Sequence, residues 1–215
     1  MGAAGDLAGG INFYNKLTGE RSVTIADVFD KFDGLDKVDR LRYDTPEFNG
    51  FSAAVSYVDT GGFDFGAGWA GKFGEVEVEA AGYYANNSAG STTEKGRYGG
   101  SVSAKHSSGF SLTFASAKRE AKAAGTDDAK YYWGKLGYSA ALNSLGATHF
   151  GVTYGKFENL AQNGDEAKEV GVGMVQDLES IGSNLWFTAR RHELDRTGST
   201  FDDVFIISTG LLLNF

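Results

Sequence analysis

Hydrophobic and polar residues alternate along most of the chain, in segments of about 10 residues, a length that suits a tilted strand crossing a membrane. In segment 63–73, Phe63 and Phe65 have one parity and Asp64 and Gly66 the other. Since successive side chains of a strand point to opposite faces, each segment has an apolar, aromatic-rich face and a small, polar face. The alternation predicts strands at 38–46, 51–59, 63–73, 75–85, 97–107, 110–120, 130–141, 147–158, 168–178, 185–195 and 204–215.

The connectors between these segments are of two kinds. Short turns at one end of a sheet and long loops at the other are typical of outer-membrane barrels, whereas a soluble sandwich has mixed loop lengths at both ends. The apolar faces hold too many aromatic residues for a small interior, so we expect them to point outward. Tight turns lie at 47–50, 74, 108–109, 143–146 and 180–184, and longer polar connectors at 86–96, 121–129, 159–167 and 196–203, with 60–62 as a short exception.

Composition agrees with a sheet protein and removes several function classes. The chain has 31 Gly and 1 Pro, which suits strands that cannot lose a ladder donor and argues against a disordered linker. It has no Cys, which excludes disulfides, thiol catalysis and Cys-based zinc sites. The net charge of −8 argues against nucleic acid as a partner. No apolar run approaches the roughly 18 residues of a membrane helix.

The stretch 24–59 has the most specific pattern in the chain. A compact acidic loop at 24–37 carries Asp27, Asp30 and Asp33, spaced three apart, and the run RLRYDTPEFNGFS follows at 40–52. This run resembles R-x-R-Y-D-[ST]-P-x-F-x-G-F-S, which follows the inward-folded constriction loop of Gram-negative general porins. The last segment ends in Phe215 after apolar residues at alternate positions, and it resembles the C-terminal signal that the barrel assembly machinery reads.

The resemblance implies an all-β fold, an antiparallel transmembrane β-barrel in a single domain at 1–215. Residues 1–37 would be the N-terminal stretch and constriction loop, and 38–215 the barrel strands. Porins of this family have sixteen strands with the acidic loop after the fifth, so the about eleven strands counted here match those that follow the loop. As an alternative, residues 5–15 supply a twelfth strand that closes a smaller barrel, since bacterial barrels have even strand numbers.

The pore hypothesis needs charges on the inward faces of the strands. Acidic side chains on the loop, set against Arg40 and Arg42 on the wall, would make a transverse field at the narrowest point, and such a field orients polar solutes and sets ion preference. The alternative interpretation is that all of these residues, Arg40 and Arg42 included, are ordinary solvated charges, with the three glutamates on a wet lumen wall. The predicted constriction is Asp27, Asp30, Asp33, Arg40 and Arg42, and the predicted lumen wall is Lys72, Glu75, Glu77, Glu79, Lys105, Arg119 and Lys135.

No catalytic, metal or cofactor site is predicted. The three histidines lack a second His or a carboxylate at metal-ligand spacing. His106 and the adjacent serines lie at a tight turn without a visible acidic partner, so we predict that the protein is not an enzyme. Paired carboxylates such as Glu75 and Glu77 would need a dry pocket to act as glycosidase groups, and a wet lumen does not supply one.

The sequence therefore predicts an outer-membrane porin, a passive channel for small hydrophilic solutes and ions. A non-conducting barrel with a structural or adhesion role, and an incomplete porin fragment, stay open as alternatives. The expected partners are outer-membrane lipid and lipopolysaccharide, the barrel assembly machinery, the solutes, and two further copies in a homotrimer. Residues 1–10 lack the basic start and apolar core of a signal peptide, so we expect a removed signal or a chain that starts inside a longer protein.

Overall fold

A computed structural model of the chain describes residues 8–32, 35 and 38–213. Most of these residues lie in antiparallel strands, so the all-β class predicted from the alternation is confirmed. The elements are β1 (Asn12–Asn15), β2 (Glu20–Thr24), α1 (Ile25–Val28), β3 (Arg40–Asp44), β4 (Phe51–Val58), β5 (Phe63–Phe73), β6 (Val76–Asn86), β7 (Glu94–His106), β8 (Phe110–Ala121), β9 (Ala129–Asn143), β10 (Gly146–Glu158), β11 (Glu166–Leu178), a 3₁₀ turn (Glu179–Ile181), β12 (Ser183–Arg196), β13 (Ser199–Thr200) and β14 (Val204–Leu212).

Strands β3 to β14 form one twelve-stranded sheet, in which β3 to β12 follow one another in chain order. Both β14 and the two-residue β13 pair with β12. In the part of the chain that the structure describes, β3 pairs only with β4 and β14 only with β12, so the strands do not close into a ring. Each predicted segment contains a strand, with shifted ends: β7 begins at Glu94 and β9 continues to Asn143.

The β1–β2 hairpin is a separate two-stranded sheet. The alternative in which residues 5–15 add a wall strand is therefore wrong for the described residues of that range, because β1 forms its ladder with β2 and not with a strand of the wall. The predicted tight turn at 47–50 is present, and Gly50 has a φ of +80° there. A Cβ at Gly50 would lie 2.0 Å from the carbonyl oxygen of Ala70, so only glycine fits this turn.

The apolar faces of the strands point outward, as predicted. In register across β8 to β11, an outer apolar row consists of Leu112, Leu136, Val152 and Val172, and each side chain is at least half exposed. On β10, Thr153 has the other parity and is covered by protein. No helix among the described residues has the length and the hydropathy that are needed to cross a membrane.

This orientation predicts a difference between two lysine substitutions. Val152→Lys, in the outer apolar row, is expected to lower the free energy of unfolding in lipid by about 2–4 kcal/mol, as charges near the bilayer midplane do. The control Ser103→Lys lies on the opposite face, in register with Glu79, and we expect a small effect. Urea unfolding in vesicles, followed by Trp fluorescence, measures both. Equal losses would contradict the assignment of the two faces.

Residues 8–32, called the inner segment below, pack against the inward face of the sheet. Phe13 and Phe32 are fully buried and Val28 is 1% exposed, in one apolar cluster with wall residues such as Tyr131 and Phe157. Helix α1 begins at a capping box, in which the Asp27 amide donates to Thr24 Oγ1 and the Thr24 amide donates to an Asp27 carboxylate oxygen. The hairpin and the short helix thus present their apolar side chains to the wall.

Candidate pore constriction

A cavity of about 530 Å³ lies between the end of the inner segment, at Lys31, and the wall strands β3 to β9. On the wall side it is lined by Arg40 and Arg42 of β3 and by Asp64 of β5. Their positions follow from strand parity, because residues 40 and 42 point away from the outward face that Leu41 and Tyr43 form. On the opposite side the cavity is lined by Lys31 and Leu35.

Both arginines are held by neighbours within hydrogen-bond reach. Arg40 Nη1 lies 3.4 Å from Asp64 Oδ2, and its Nη2 donates to the Leu35 carbonyl oxygen at 3.3 Å. Arg42 binds Asp44 on the same strand, with Nε and Nη2 at 2.7–3.0 Å from the two carboxylate oxygens. These contacts orient the guanidinium groups along the wall, and half of the Arg42 side chain stays exposed.

The inner segment presents a cation to this cavity. Lys31 Nζ lies 4.6 Å from the ring centre of Trp133 on β9, a cation–π contact. Burial lowers the pKa of Lys31, and the Glu169 carboxylate on β11 opposes that shift. Among the described residues, three basic side chains and one carboxylate, that of Asp64, line the cavity. Arg42 is at the same time paired with the Asp44 carboxylate, so the basic side chains exceed the acidic ones by one when Asp44 is counted.

Two of the predicted loop acids, Asp27 and Asp30, are not among the residues that line this cavity. Asp27 caps α1, and Asp30 lies 3.6 Å from Arg119 of β8, measured between Oδ2 and Nη1. Arg119 also covers the Phe32 ring, with its guanidinium carbon 4.9 Å from the ring centre, and it donates to the Leu160 carbonyl oxygen. Asp33 lies outside the described residues. An acidic residue of the loop and a basic residue of the wall thus meet at Asp30 and Arg119. The sequence predicts Asp30 as part of the constriction and Arg119 as part of the lumen wall.

The remaining predicted wall residues lie on the inward face, towards the end with the short turns. Lys72 Nζ is 3.5 Å from Glu77 Oε1, and Glu77 is in register with Lys105. Glu79 is in register with Ser103, and Lys135 with Thr113 and Thr153. Phe215 lies outside the described residues. A second cavity, of about 330 Å³, is lined here by Lys72, Glu75, Glu77, Lys105, His106, Ser107, Gly109 and Ser139.

The expectation that His106 has no acidic partner is wrong. Its Nε2 lies 3.3 Å from Glu75 Oε2, and Ser107 Oγ donates to the same carboxylate at 3.0 Å. The Ser108 hydroxyl is 2.7 Å from His106 Nδ1. Glu75 is 31 positions away in sequence and reaches His106 only because β6 pairs with β7 so that Val76 is in register with His106.

Two polar clusters were missed by the sequence analysis. Under Phe29, His192 Nε2 lies 3.4 Å from Glu169 Oε2, and Arg190 Nη1 lies 3.5 Å from the same oxygen. On β9, β10 and β11, Ser139, His149 and Asp177 form a hydrogen-bonded chain. Parity alone would have placed these residues inward, but their meeting depends on strand register. Within the described ranges, no three His, Asp or Glu side chains form a group that could hold a metal ion.

Comparisons with known proteins agree with this architecture. A family model described as Gram-negative porin matches residues 2–195. No curated protein matches the chain.

Proposed function

The chain belongs to the Gram-negative porin family, and from this premise we propose that it is a passive diffusion channel for small hydrophilic solutes and ions. The observation that supports the channel is the position of the inner segment. It lies on the inward face and leaves a cavity of about 530 Å³ against Arg40 and Arg42. Membership of the family places the protein in the outer membrane.

Solutes would be selected by size and by the charge of the constriction. Of the residues that the structure describes, Lys31, Arg40 and Arg42 line the cavity together with one carboxylate, that of Asp64. Fixed charges of one sign in a narrow passage raise the local concentration of ions of the opposite sign. We therefore expect anions to pass more readily than cations. The Asp30–Arg119 pair would contribute to the transverse field from the opposite side of the inner segment.

Replacing both wall arginines tests this charge filter. A unit charge about 8 Å from an ion in water contributes about 0.5 kcal/mol. Loss of two such charges in Arg40→Ser/Arg42→Ser changes the energy of an anion and that of a cation by about 1 kcal/mol each, in opposite directions. The anion-to-cation permeability ratio is therefore expected to fall about thirtyfold at low ionic strength, and by less in concentrated salt. Reversal potentials in a salt gradient measure that ratio.

The control Lys16→Ser/Arg191→Ser removes the same net charge outside the cavity. Lys16 lies in the β1–β2 turn, and Arg191 has the outward parity on β12. The control is expected to keep the ratio of the unchanged protein. Equal ratios for both double variants would reject Arg40 and Arg42 as the filter.

The alternatives are a non-conducting barrel with a structural or adhesion role and an incomplete porin. Single-channel recording of the refolded chain in a planar bilayer distinguishes them from a channel. Discrete, stable current steps are expected for a pore formed by this chain. Silence from protein that is folded by circular dichroism would reject a pore formed by this chain alone. The open edges β3 and β14 make this the decisive measurement.

The partners follow from the same premise. The outer apolar row would contact the acyl chains of outer-membrane lipid, and charged residues at the long-loop ends of the strands would contact lipopolysaccharide. The alternating apolar residues of β14, among them Phe205 and Leu211, would form part of the signal for the barrel assembly machinery, together with Phe215. A homotrimer is a further proposal, which cross-linking in native membranes tests.

A further inference from the structure

Three neighbouring strands place a serine, a histidine and an aspartate in hydrogen-bonding sequence on the inward face. His149 Nδ1 lies 2.8 Å from Ser139 Oγ, and His149 Nε2 lies 2.9 Å from Asp177 Oδ2. Asn184 Nδ2 donates to the other oxygen of Asp177 at 2.7 Å. Each residue comes from a different strand, β9 to β12 in order.

The partners of the imidazole decide its protonation pattern. The Asp177 carboxylate only accepts hydrogen bonds, so the neutral ring carries its proton on Nε2. Nδ1 is then the acceptor nitrogen, and the Ser139 hydroxyl donates a hydrogen bond to it. A hydroxyl that donates to an imidazole nitrogen, whose other nitrogen is held by a carboxylate, is an activated nucleophile. Asn184 fixes the carboxylate and therefore the ring.

Ser139 also has space for a substrate. It lines the cavity of about 330 Å³ near the short turns, together with Lys72 and Lys105. About two thirds of the Asp177 side chain and the His149 side chain are covered, so the relay is partly shielded while its serine borders the cavity. The wall of this cavity carries two ammonium groups, those of Lys72 and Lys105, and two carboxylates, those of Glu75 and Glu77. An ammonium group that reaches the bound ester would favour the negative oxygen of a tetrahedral intermediate.

We propose that Ser139, His149 and Asp177 hydrolyse small carboxylic esters that enter the lumen, an activity additional to the diffusion of solutes. Ser139 Oγ attacks the acyl carbon while its proton passes to His149 Nδ1. The carbon–oxygen bond of the ester breaks, and the leaving alkoxide takes that proton and departs as an alcohol. A water molecule then attacks the acyl-serine, giving its proton to Nδ1, and the carboxylic acid leaves as Ser139 Oγ recovers the proton.

The test uses the detergent-refolded chain with p-nitrophenyl acetate and with a fluorophosphonate probe, which forms a covalent bond with activated serines. We expect the probe to label Ser139, as located by peptide mapping. We expect Ser139→Ala and His149→Gln to lower ester hydrolysis about 100-fold, within the usual range for loss of a general base. Ser103→Ala, another serine of the inward face, is the matched control and should retain full hydrolysis and labelling.

Other outcomes overturn the proposal. One such outcome is absence of labelling at Ser139, and another is hydrolysis by Ser139→Ala equal to that of the unchanged protein. Either would mean that the hydrogen bonds among Ser139, His149 and Asp177 have a structural role only. Circular dichroism and single-channel conductance of each variant show whether it folds. A folded protein that conducts no current but still hydrolyses the ester would contradict the channel and support the esterase activity. The two proposals can therefore fail separately.

Discussion

Phe157→Ala is expected to lower the free energy of unfolding by about 3–5 kcal/mol, the usual range for removing a fully buried phenyl ring. Phe157 is 1% exposed. Its ring lies between Phe29 of the inner segment, at 5.0 Å, and Tyr131 of the neighbouring strand, at 5.6 Å. The substitution leaves a cavity at the centre of the contact between inner segment and wall, so we also expect noisier single-channel currents.

The matched control is Phe114→Ala on the outward face. Phe114 is 49% exposed and faces lipid or detergent, which fill the space that its ring leaves. We expect a loss of about 1 kcal/mol for this half-covered side chain, with steady currents. Urea titration in detergent micelles measures the stability of both variants. Similar losses would mean that the aromatic cluster around Phe157 does not anchor the inner segment.

Asp165→Ala is expected to destabilise the protein by a similar amount, about 3–5 kcal/mol, because it leaves a buried guanidinium without its counter-charge. Asp165 lies in the β10–β11 loop and binds Arg196 at the end of β12, with Nε and Nη2 each 2.6 Å from a carboxylate oxygen. The two side chains are 2% and 13% exposed. The pair therefore joins two adjacent long loops and is largely shielded from water.

Two further variants isolate the cause. Asp202→Ala removes an ion pair with Lys16, in which both side chains are half exposed, and such pairs contribute about 0–1 kcal/mol. The double variant Asp165→Ala/Arg196→Met removes both buried charges, and we expect it to be more stable than Asp165→Ala alone. A double variant as unstable as the single one would show that lost packing, and not the unpaired charge, causes the effect.

Much of the wall could be predicted from the sequence, because strand parity has a period of two and needs no tertiary information. The outward direction of Leu112 and Val152 followed from the size of the apolar faces. The inward direction of Arg40 and Arg42 followed from the motif and its parity. Strand ends shifted by a few residues, since the pairing of neighbouring strands, and not local propensity, decides where a strand stops.

The contacts inside the sheet could not be predicted, for a physical reason. Parity assigns a residue to a face but does not say at which height along the strand it lies relative to its neighbours. Asp30 meets Arg119, and His149 meets Asp177, through register and through the path of the inner segment. Lys31 was not singled out, because a lone lysine in an acidic loop gives no signal of the Trp133 ring that it covers.

The docking of the β1–β2 hairpin has a consequence for the order of folding. Asn15 forms a bridge with Phe201, the Lys16 amide donates to the Thr200 carbonyl oxygen, and the Asp202 amide donates to that of Tyr14. These partners are separated by almost the whole chain, so this contact has a very high contact order and forms late. Residues 14–16 must wait for the loop at 196–203 before they reach their native place. A chain that lacked this loop would leave the Phe13 ring without its edge-on contact with the Phe201 ring, and the hairpin would be anchored by the wall strands alone.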